Sequence, residues 1–349
     1  MTRYVFDCER MKYPNTGLYT YCLQLGKAML AQLLPSEELT FFVPAKQQPD
    51  FGPGAKYLEQ KSWHKVYMPY RKPYDIWHTA YQSSAYAPAN KNTSRILTIH
   101  DLNFLYENKT PAKRQKMLKC VQDAIDSSAF ITTISEYVKQ DVEKHLNTNG
   151  KPIRVIYNGA NVSEFPGFDQ PNYKPTKQFI FTIGTILPKK NFHVLPCLLA
   201  NNDMELLIAG NINEAYAEKI KQEAQLYGVT DRVKILGPVR DEDKYWYLKN
   251  CTTFAFPSIA EGFGIPVIEA MHFGKPVFLS THTSLPEIGG KYAYYFDSFD
   301  PKAMQTVFEN GLSDFHTNGN PEAIIKHADS FSWEKAAKEY LSIYRLLID

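Results

Sequence analysis

Short apolar runs alternate with longer amphipathic segments through nearly the whole chain, the pattern of parallel strands covered by helices. In the first half, strands are predicted at 3–7, 39–44, 64–70, 74–78 and 95–100. A helix follows the turn at Thr16-Gly17, where Leu18, Cys22, Leu25, Met29 and Leu33 keep close to helical spacing. Helices at 111–127 and 135–146 flank a strand at 129–135, and a strand at 153–158 closes this half. Proline and polar residues without periodicity then mark 159–177 as a linker. The second half repeats the theme, with strands at 179–184, 204–210, 232–238, 252–257, 276–280 and 292–296. Helices are predicted between them at 191–199, 214–227 and 241–249, with another opening near Pro266. These signals favour an α/β chain of two Rossmann-like domains, 1–165 and 166–331, facing one another across a cleft.

Length agrees: 349 residues exceed one ordinary core and suit two. The composition (44% apolar, 22% charged) is that of a globular protein. The five cysteines are scattered without metal-binding spacing, so free thiols in a reducing compartment are expected. No charged-then-apolar leader opens the sequence and no apolar run is long enough to span a membrane. The expectation is a cytoplasmic protein, in which the glycosylation-like triplets at Asn92, Asn108 and Asn250 are chance. Net charge is +2 but unevenly shared: residues 1–165 carry 21 basic against 15 acidic side chains, and the remainder 18 against 22. The basic half is the one expected to meet an acidic acceptor or the inner face of a membrane. Between Lys61 and His78, aromatic residues interleave with Lys61, Lys65, Arg71 and Lys72, which reads either as such a patch or as a strand with a basic rim. The small net charge and the lack of a basic helix disfavour nucleic acid.

The stretch richest in chemistry runs from Phe256 to Pro276. An apolar run ends in a loop carrying Glu261, then Gly262-Phe263-Gly264, and Glu269 falls about one turn into the helix that follows. Glycines let the backbone approach a ligand, and the helix start adds partial positive charge, so the loop can hold an anion or sugar hydroxyls. Read alone, it is also an ordinary glycine turn with two surface glutamates. After the first strand of the second half, Gly184-Thr185-Ile186-Leu187-Pro188-Lys189-Lys190-Asn191 brings backbone amides and two cations to one helix start. In the first half, Thr98-Ile99-His100-Asp101 ends a strand where open α/β sheets place ligands. His100 can hydrogen-bond a sugar hydroxyl and Asp101 can engage an acceptor hydroxyl, although a lone strand-end histidine is more often structural; His78 is the poorer candidate. Asp241-Glu242-Asp243 has a metal-binding form, but it opens a helix, where acidic residues offset the dipole. Ser284-Leu285-Pro286-Glu287 has the spacing of a capping box.

The Glu-x7-Glu pattern around Gly-Phe-Gly, together with Pro188-Lys189-Lys190-Asn191, resembles the retaining GT-B glycosyltransferases of family 4, a group rich in mannosyltransferases. The resemblance is strong from Phe179 to Glu287 and loose before Tyr157. It implies transfer of a hexosyl group from a nucleoside-diphosphate sugar to an acceptor hydroxyl of a glycan, polysaccharide or glycolipid, with retention and without metal or other cofactor. It further implies that Lys190, helped by Lys189, Gly184 and Gly17 of the Asn15-Thr16-Gly17-Leu18 turn, faces the leaving diphosphate. Lys189 stands where arginine is usual, which loses a bidentate fork. Glu269 would take the ribose hydroxyls, and Val239 would meet the base through its backbone. Glu261, with Gly262 and the Phe263 and Gly264 amides, would hold the hexose, as nucleophile or as electrostatic group. His100 falls on the family's catalytic histidine, and the C-terminal helix, 332–349, would pack back on the first domain. Tyr157-Asn158-Gly159 resembles the turn leading out of that domain. The alternative within enzymes is a nucleotide-sugar epimerase of similar form, and the one from another class is a non-catalytic sugar-nucleotide-binding protein.

Overall fold

The computed structural model describes residues 1–14, 16–107 and 109–348; Asn15 of the first glycine turn and Asn108 of a glycosylation-like triplet lie outside the described residues. The chain forms two compact units, Met1–Gly159 with Ser332–Asp349, and Ala160–Phe331.

The first unit holds a parallel sheet of β1 (Thr2–Asp7), β2 (Glu37–Val43), β3 (Lys56–Glu59), β4 (Ile76–Thr79), β5 (Ser94–Ile99), β6 (Phe130–Thr133) and β7 (Ile153–Val155). Their order is β3-β2-β1-β4-β5-β6-β7. The chain therefore winds outward from β1 in one direction and then, from β4, in the other, leaving a switch point between β1 and β4 where ligands enter open sheets. The inner strands are buried on both faces, β2 and β4 along their whole length, while the outer strands β3 and β7 are partly exposed. The helix Gly17–Leu30 starts on the hydroxyl of Thr16, which accepts from the Tyr19 amide at 3.3 Å.

The C-terminal helix Trp333–Leu346 belongs to this unit and packs on its sheet. Its Tyr340 hydroxyl meets those of Tyr21 (2.9 Å) and Thr98 (3.1 Å), its Tyr344 hydroxyl bonds His78 Nδ1 (2.7 Å), and Arg345 grips Glu37. His78 is thereby accounted for. Fully buried between Tyr344 and Thr98, with burial pulling its pKa down to about 3, it is a neutral structural bridge.

The second unit holds β8 (Phe179–Ile183), β9 (Glu205–Ala209), β10 (Val233–Gly237), β11 (Thr253–Phe256), β12 (Val277–Ser280) and β13 (Tyr294–Phe296), in the order β10-β9-β8-β11-β12-β13, all parallel. Its switch point lies between β8 and β11, the two strands whose following loops carry Lys190 and Glu261.

Four expectations change. No strand covers 64–70; the outer strand is β3, and a single 3-10 turn, Ser62–Lys65, follows it. Pro69 interrupts that segment, and burial there does not alternate: His64 and Met68 are buried while Val66 and Tyr67, adjacent to each other, are exposed. The helix of 191–199 is a 3-10 helix, Phe192–Leu199, with Pro196 inside it. The units divide at Gly159, six positions before the expected 165, because the chain is already tied there: a Cβ on Gly159 would lie 2.2 Å from the Trp333 amide nitrogen. Ser284 stands at the N-cap of the helix Leu285–Gly289, but its side chain makes no capping bond, for reasons that belong to the site.

Candidate active site

In the second unit, two loops on the strands flanking the switch point are stitched together. The Lys189 carbonyl accepts the Ile259 amide (2.9 Å) and lies 3.0 Å from the Ser258 hydroxyl. That hydroxyl is also 2.6 Å from Glu261 Oε1, and Lys190 Nζ donates to the same oxygen at 2.5 Å. Lys190 is 13% exposed and Glu261 14%, so the pair is screened weakly, and the ammonium sits 4.8 Å from the centre of the Phe256 ring. The turn Pro188–Lys190 ends at Asn191, which is buried and left-handed (φ 58°), a conformation asparagine tolerates better than most residues. The lysines are thus presented by a turn whose last residue has a physical reason to be Asn.

The Glu261 loop is held from the far side. Its amide donates to Thr283 Oγ1 (3.0 Å), and Ser284 Oγ lies 2.8 Å from the Phe263 carbonyl and 3.3 Å from that of Glu261. This is why the Ser284 side chain makes no capping bond: its hydroxyl is spent on the loop. Phe263 is itself buried, edge-on to Phe331, and so contributes its backbone to the loop rather than its ring. Gly264, with φ +117°, N-caps the seven-residue helix Ile265–Met271; a side chain there would be strained, and its Cβ would press Leu285 at 3.1 Å. At the adjoining strand ends, a Cβ on Gly210 would sit 2.0 Å from the Gly184 carbonyl oxygen, so the loop after β8 can take its path only across a glycine.

Glu269 projects from that short helix, nearly buried, and accepts from Lys244 Nζ at 3.0 Å. Burial alone would lower the Lys244 pKa; the facing carboxylate outweighs it and raises it. Glu261 and Glu269 are therefore each matched with a lysine of their own, Lys190 and Lys244. Val239 is half-buried in the loop after β10. Asp243 is turned away from solvent, bonding the Arg240 guanidinium (3.2 Å) and the Asn172 amide (3.3 Å), so it ties the linker to its helix.

In the first unit, His100 follows β5 at the carboxyl edge of the sheet and is buried. Its Nε2 lies 2.8 Å from the Ala80 carbonyl and must therefore carry the proton, which leaves Nδ1 as the acceptor nitrogen. Gln82 pins the segment, accepting the His100 amide (3.2 Å) and donating to the Asp101 carbonyl (2.8 Å). The Asp101 carboxylate caps the turn that follows, taking the Asn103 amide at 2.9 Å. Gly17 opens its helix at the switch point, and a Cβ there would meet nothing within 4 Å, so the chain's own packing does not demand glycine.

Burial pulls the His100 pKa down to about 4, so the folded chain binds fewer protons there than the unfolded one. Stability from this group is present above the ordinary value of about 6.5 and is lost as pH falls toward the folded value. A role as neutral acceptor predicts no acid limb in kcat/KM for donor near pH ~6.5. A limb centred there that vanishes in His100→Gln would show a solvated, titrating imidazole instead.

Two parallel Rossmann-like sheets with such loops at the switch point of the second are the architecture of the GT-B fold. Residues 167–329 match the model of the glycosyl transferases group 1, and residues 40–164 that of Glycosyltransferase Family 4. The chain belongs to this glycosyltransferase family. It is 27% identical over 386 residues to O-antigen chain mannosyltransferase B of Escherichia coli, covering 98% of this chain and 99% of that one. It is 27% identical over 220 residues to O-antigen chain mannosyltransferase RfbU of Salmonella typhimurium, covering 62% of this chain and 60% of that protein. Among solved structures it resembles sucrose-phosphate synthase of Thermosynechococcus elongatus (TM-score 0.76, 18% identity, 99% of each chain covered). It also resembles HepE of Anabaena in complex with UDP and glucose (TM-score 0.74, 16% identity, 98% of this chain and 100% of that one). The two curated relatives are mannosyltransferases, which, with the family match, disfavours the epimerase and binding-protein alternatives.

Sequence reasoning named Lys190, Glu261, Glu269 and His100; the structure joins Lys190 to Glu261, sets Glu269 against Lys244 and places His100 in the first unit. It did not name Thr283, Lys244 and Gln82, whose partners lie about twenty positions away, nor Ser258, which reaches Lys189 as well as nearby Glu261, and it took Ser284 for a helix cap. Spacing carries no signal for such contacts.

Proposed function

We propose that the protein transfers a mannosyl group, with retention, from a nucleoside-diphosphate mannose to a hydroxyl of a growing glycan. The observation that carries this reading is the Lys190–Glu261 contact at the β8/β11 switch point. A partly buried cation and a partly buried carboxylate face one another there, one suited to a departing diphosphate and the other to the sugar it leaves. As the bond from the anomeric carbon to the diphosphate oxygen breaks, negative charge grows on the phosphate and positive charge on the sugar. Lys190 with the amides of the Gly184 loop offsets the first, and Glu261 the second. No divalent cation is assigned a part, because the lysine and amides supply that charge. Glu269 takes the ribose hydroxyls; Lys189, Gly17 and the Val239 backbone complete the donor contacts. His100 accepts a hexose hydroxyl at Nδ1, and Asp101 engages the acceptor. The mannosyl assignment draws on the O-antigen mannosyltransferases to which the chain is similar. No helix among the described residues is long and apolar enough to cross a membrane. A peripheral place at the cytoplasmic face, through the basic first half, belongs to the same reading.

The test is a titration of GDP-, UDP- and ADP-sugars, followed by turnover with glycan acceptors and NMR of the product's anomeric configuration. The expected result is consumption of a mannose donor that requires acceptor, gives an α-linked product and survives chelator. Release of an epimerised sugar without acceptor, an inverted product, or loss of activity on chelation would each overturn it.

A further inference from the structure

Beyond β3, the segment from Trp63 to Lys72 exposes apolar side chains side by side. Val66 is 94% exposed, and Trp63 and Tyr67 are each 51% exposed. The two rings lie 6.4 Å apart and within 10° of parallel, so they offer one flat ledge. Contiguous exposed apolar surface of this kind marks a site of contact. The segment is anchored from beneath. His64 and Met68 are buried, the His64 ring lies 6.0 Å from Phe42 and 5.3 Å from Tyr70, and the Tyr70 hydroxyl donates to the Glu59 carbonyl at 2.8 Å. The ledge is a feature of the folded unit.

Its rim is basic. Lys65, Arg71 and Lys72 fall in this segment and Lys61 just before it, and no acidic residue occurs between Lys61 and Tyr74. The facing carboxylates come from neighbouring strands: Glu59 lies 3.4 Å from Lys61, and Glu38 lies 4.0 Å from Lys72. Arg71 donates to the Tyr67 hydroxyl (3.1 Å), and Lys65 sits 5.7 Å from the Tyr86 ring. Exposed Ala85, Ala87 and Ala89 continue the apolar surface across a groove of about 620 Å³.

We propose that this ledge is the surface on which the protein rests against a bilayer carrying anionic headgroups. The proposal rests on the functional reading for its purpose, bringing the enzyme to a membrane-borne glycan, and names the partner of that peripheral placement. Charge complementarity selects the occupant. A neutral hexose chain calls for hydrogen-bonding side chains and ring faces, and gains nothing from four cations or from an isolated valine. Aromatic residues and a short aliphatic one, ringed by Lys and Arg, match the interface where headgroups meet acyl chains. Each basic residue near such a surface strengthens binding about fivefold, and salt screens the effect.

The experiment is co-sedimentation of the full chain with vesicles of phosphatidylcholine alone, or with about one third phosphatidylglycerol. Binding is expected to the anionic vesicles, weakening as salt is raised. Val66→Asp, at a position too exposed to affect folding, and the double variant Lys65→Glu/Arg71→Glu should each reduce it by about tenfold or more. Transfer to a short soluble acceptor should be unchanged in both, since neither touches the catalytic residues. Equal binding to neutral vesicles, no binding, or unaltered binding by both variants would overturn the proposal. So would loss of short-acceptor transfer in the variants, which would give the ledge to the glycan, or a change of their oligomeric state without lipid, which would give it to a second copy. Vesicle binding needs no donor, so failure of the transfer reaction and failure of this surface are separate results.

Discussion

Lys190→Ala is expected to lower kcat by about 10²-fold or more while changing donor Kd much less. The ammonium lies in a site where little water competes, against the Phe256 ring and beside Glu261, so a charge placed there acts at close to full strength when the diphosphate departs. The ground-state diphosphate is already charged, but the bridging oxygen gains charge only as its bond to the sugar breaks. An interaction that grows in the transition state appears in kcat. One structural explanation must be separated from this. Removing the lysine leaves Glu261 partly buried without its cation, and the loop from Ser258 to Gly264 can shift for that reason alone. The double variant Lys190→Met/Glu261→Gln removes the orphaned charge. Because Glu261 is itself assigned to the reaction, the double variant is compared with Glu261→Gln alone: if the lysine served only to hold the loop, the two turn over alike. If it acts on the leaving group, the double variant recovers thermal stability but turns over well below Glu261→Gln. A near-normal kcat in Lys190→Ala would remove the catalytic role.

The two sheets and the strand-end placement of the loops could be read from apolar periodicity, because a strand buried on both faces has little freedom of composition. Phe254 to Phe256 and Phe179 to Ile183 are of that kind. The 64–70 segment misled for a physical reason. A run of aromatic and β-branched residues looks like a strand whether its side chains face a core or a solvent ledge, and Val66 and Tyr67 face outward. Ser284 misled in another way. Ser-x-x-Glu encodes a local capping possibility, but the hydroxyl went to carbonyls more than twenty positions back in sequence, those of Glu261 and Phe263. Lys190, Glu261 and Glu269 could be named as candidates because they fall in two short stretches, a turn after β8 and a loop with the helix that follows it. Their support could not, since Lys244, Thr283 and Gln82 act through contacts that only the folded chain creates. Asn191 lies between these cases: its left-handed turn is a local property, and the Lys-Lys-Asn order carries it in plain view.

Glu269→Ala is expected to raise donor Kd by about 10- to 100-fold with kcat changed only a few-fold, the range for hydrogen bonds made to a charged group. The carboxylate is nearly buried, held by Lys244 at 3.0 Å, with the Tyr245 hydroxyl 3.5 Å from the same oxygen, Oε1. Its other oxygen is then the natural acceptor for a ribose diol. The ribose is remote from the breaking bond, so these contacts are equal in ground and transition states and appear in binding. Loss of the carboxylate also strands Lys244, whose raised pKa depends on it, so weaker binding by itself does not prove ribose contact. The discriminating measurement compares the nucleoside diphosphate with its 2′-deoxy analogue. A site built to accept a hydroxyl rejects the ligand that lacks it. Wild type should therefore prefer the ribonucleotide, and Glu269→Ala should bind both equally. If the variant keeps the preference, the effect on Kd comes from the disturbed Lys244 and the diol lies elsewhere; an unchanged Kd would contradict the assignment outright.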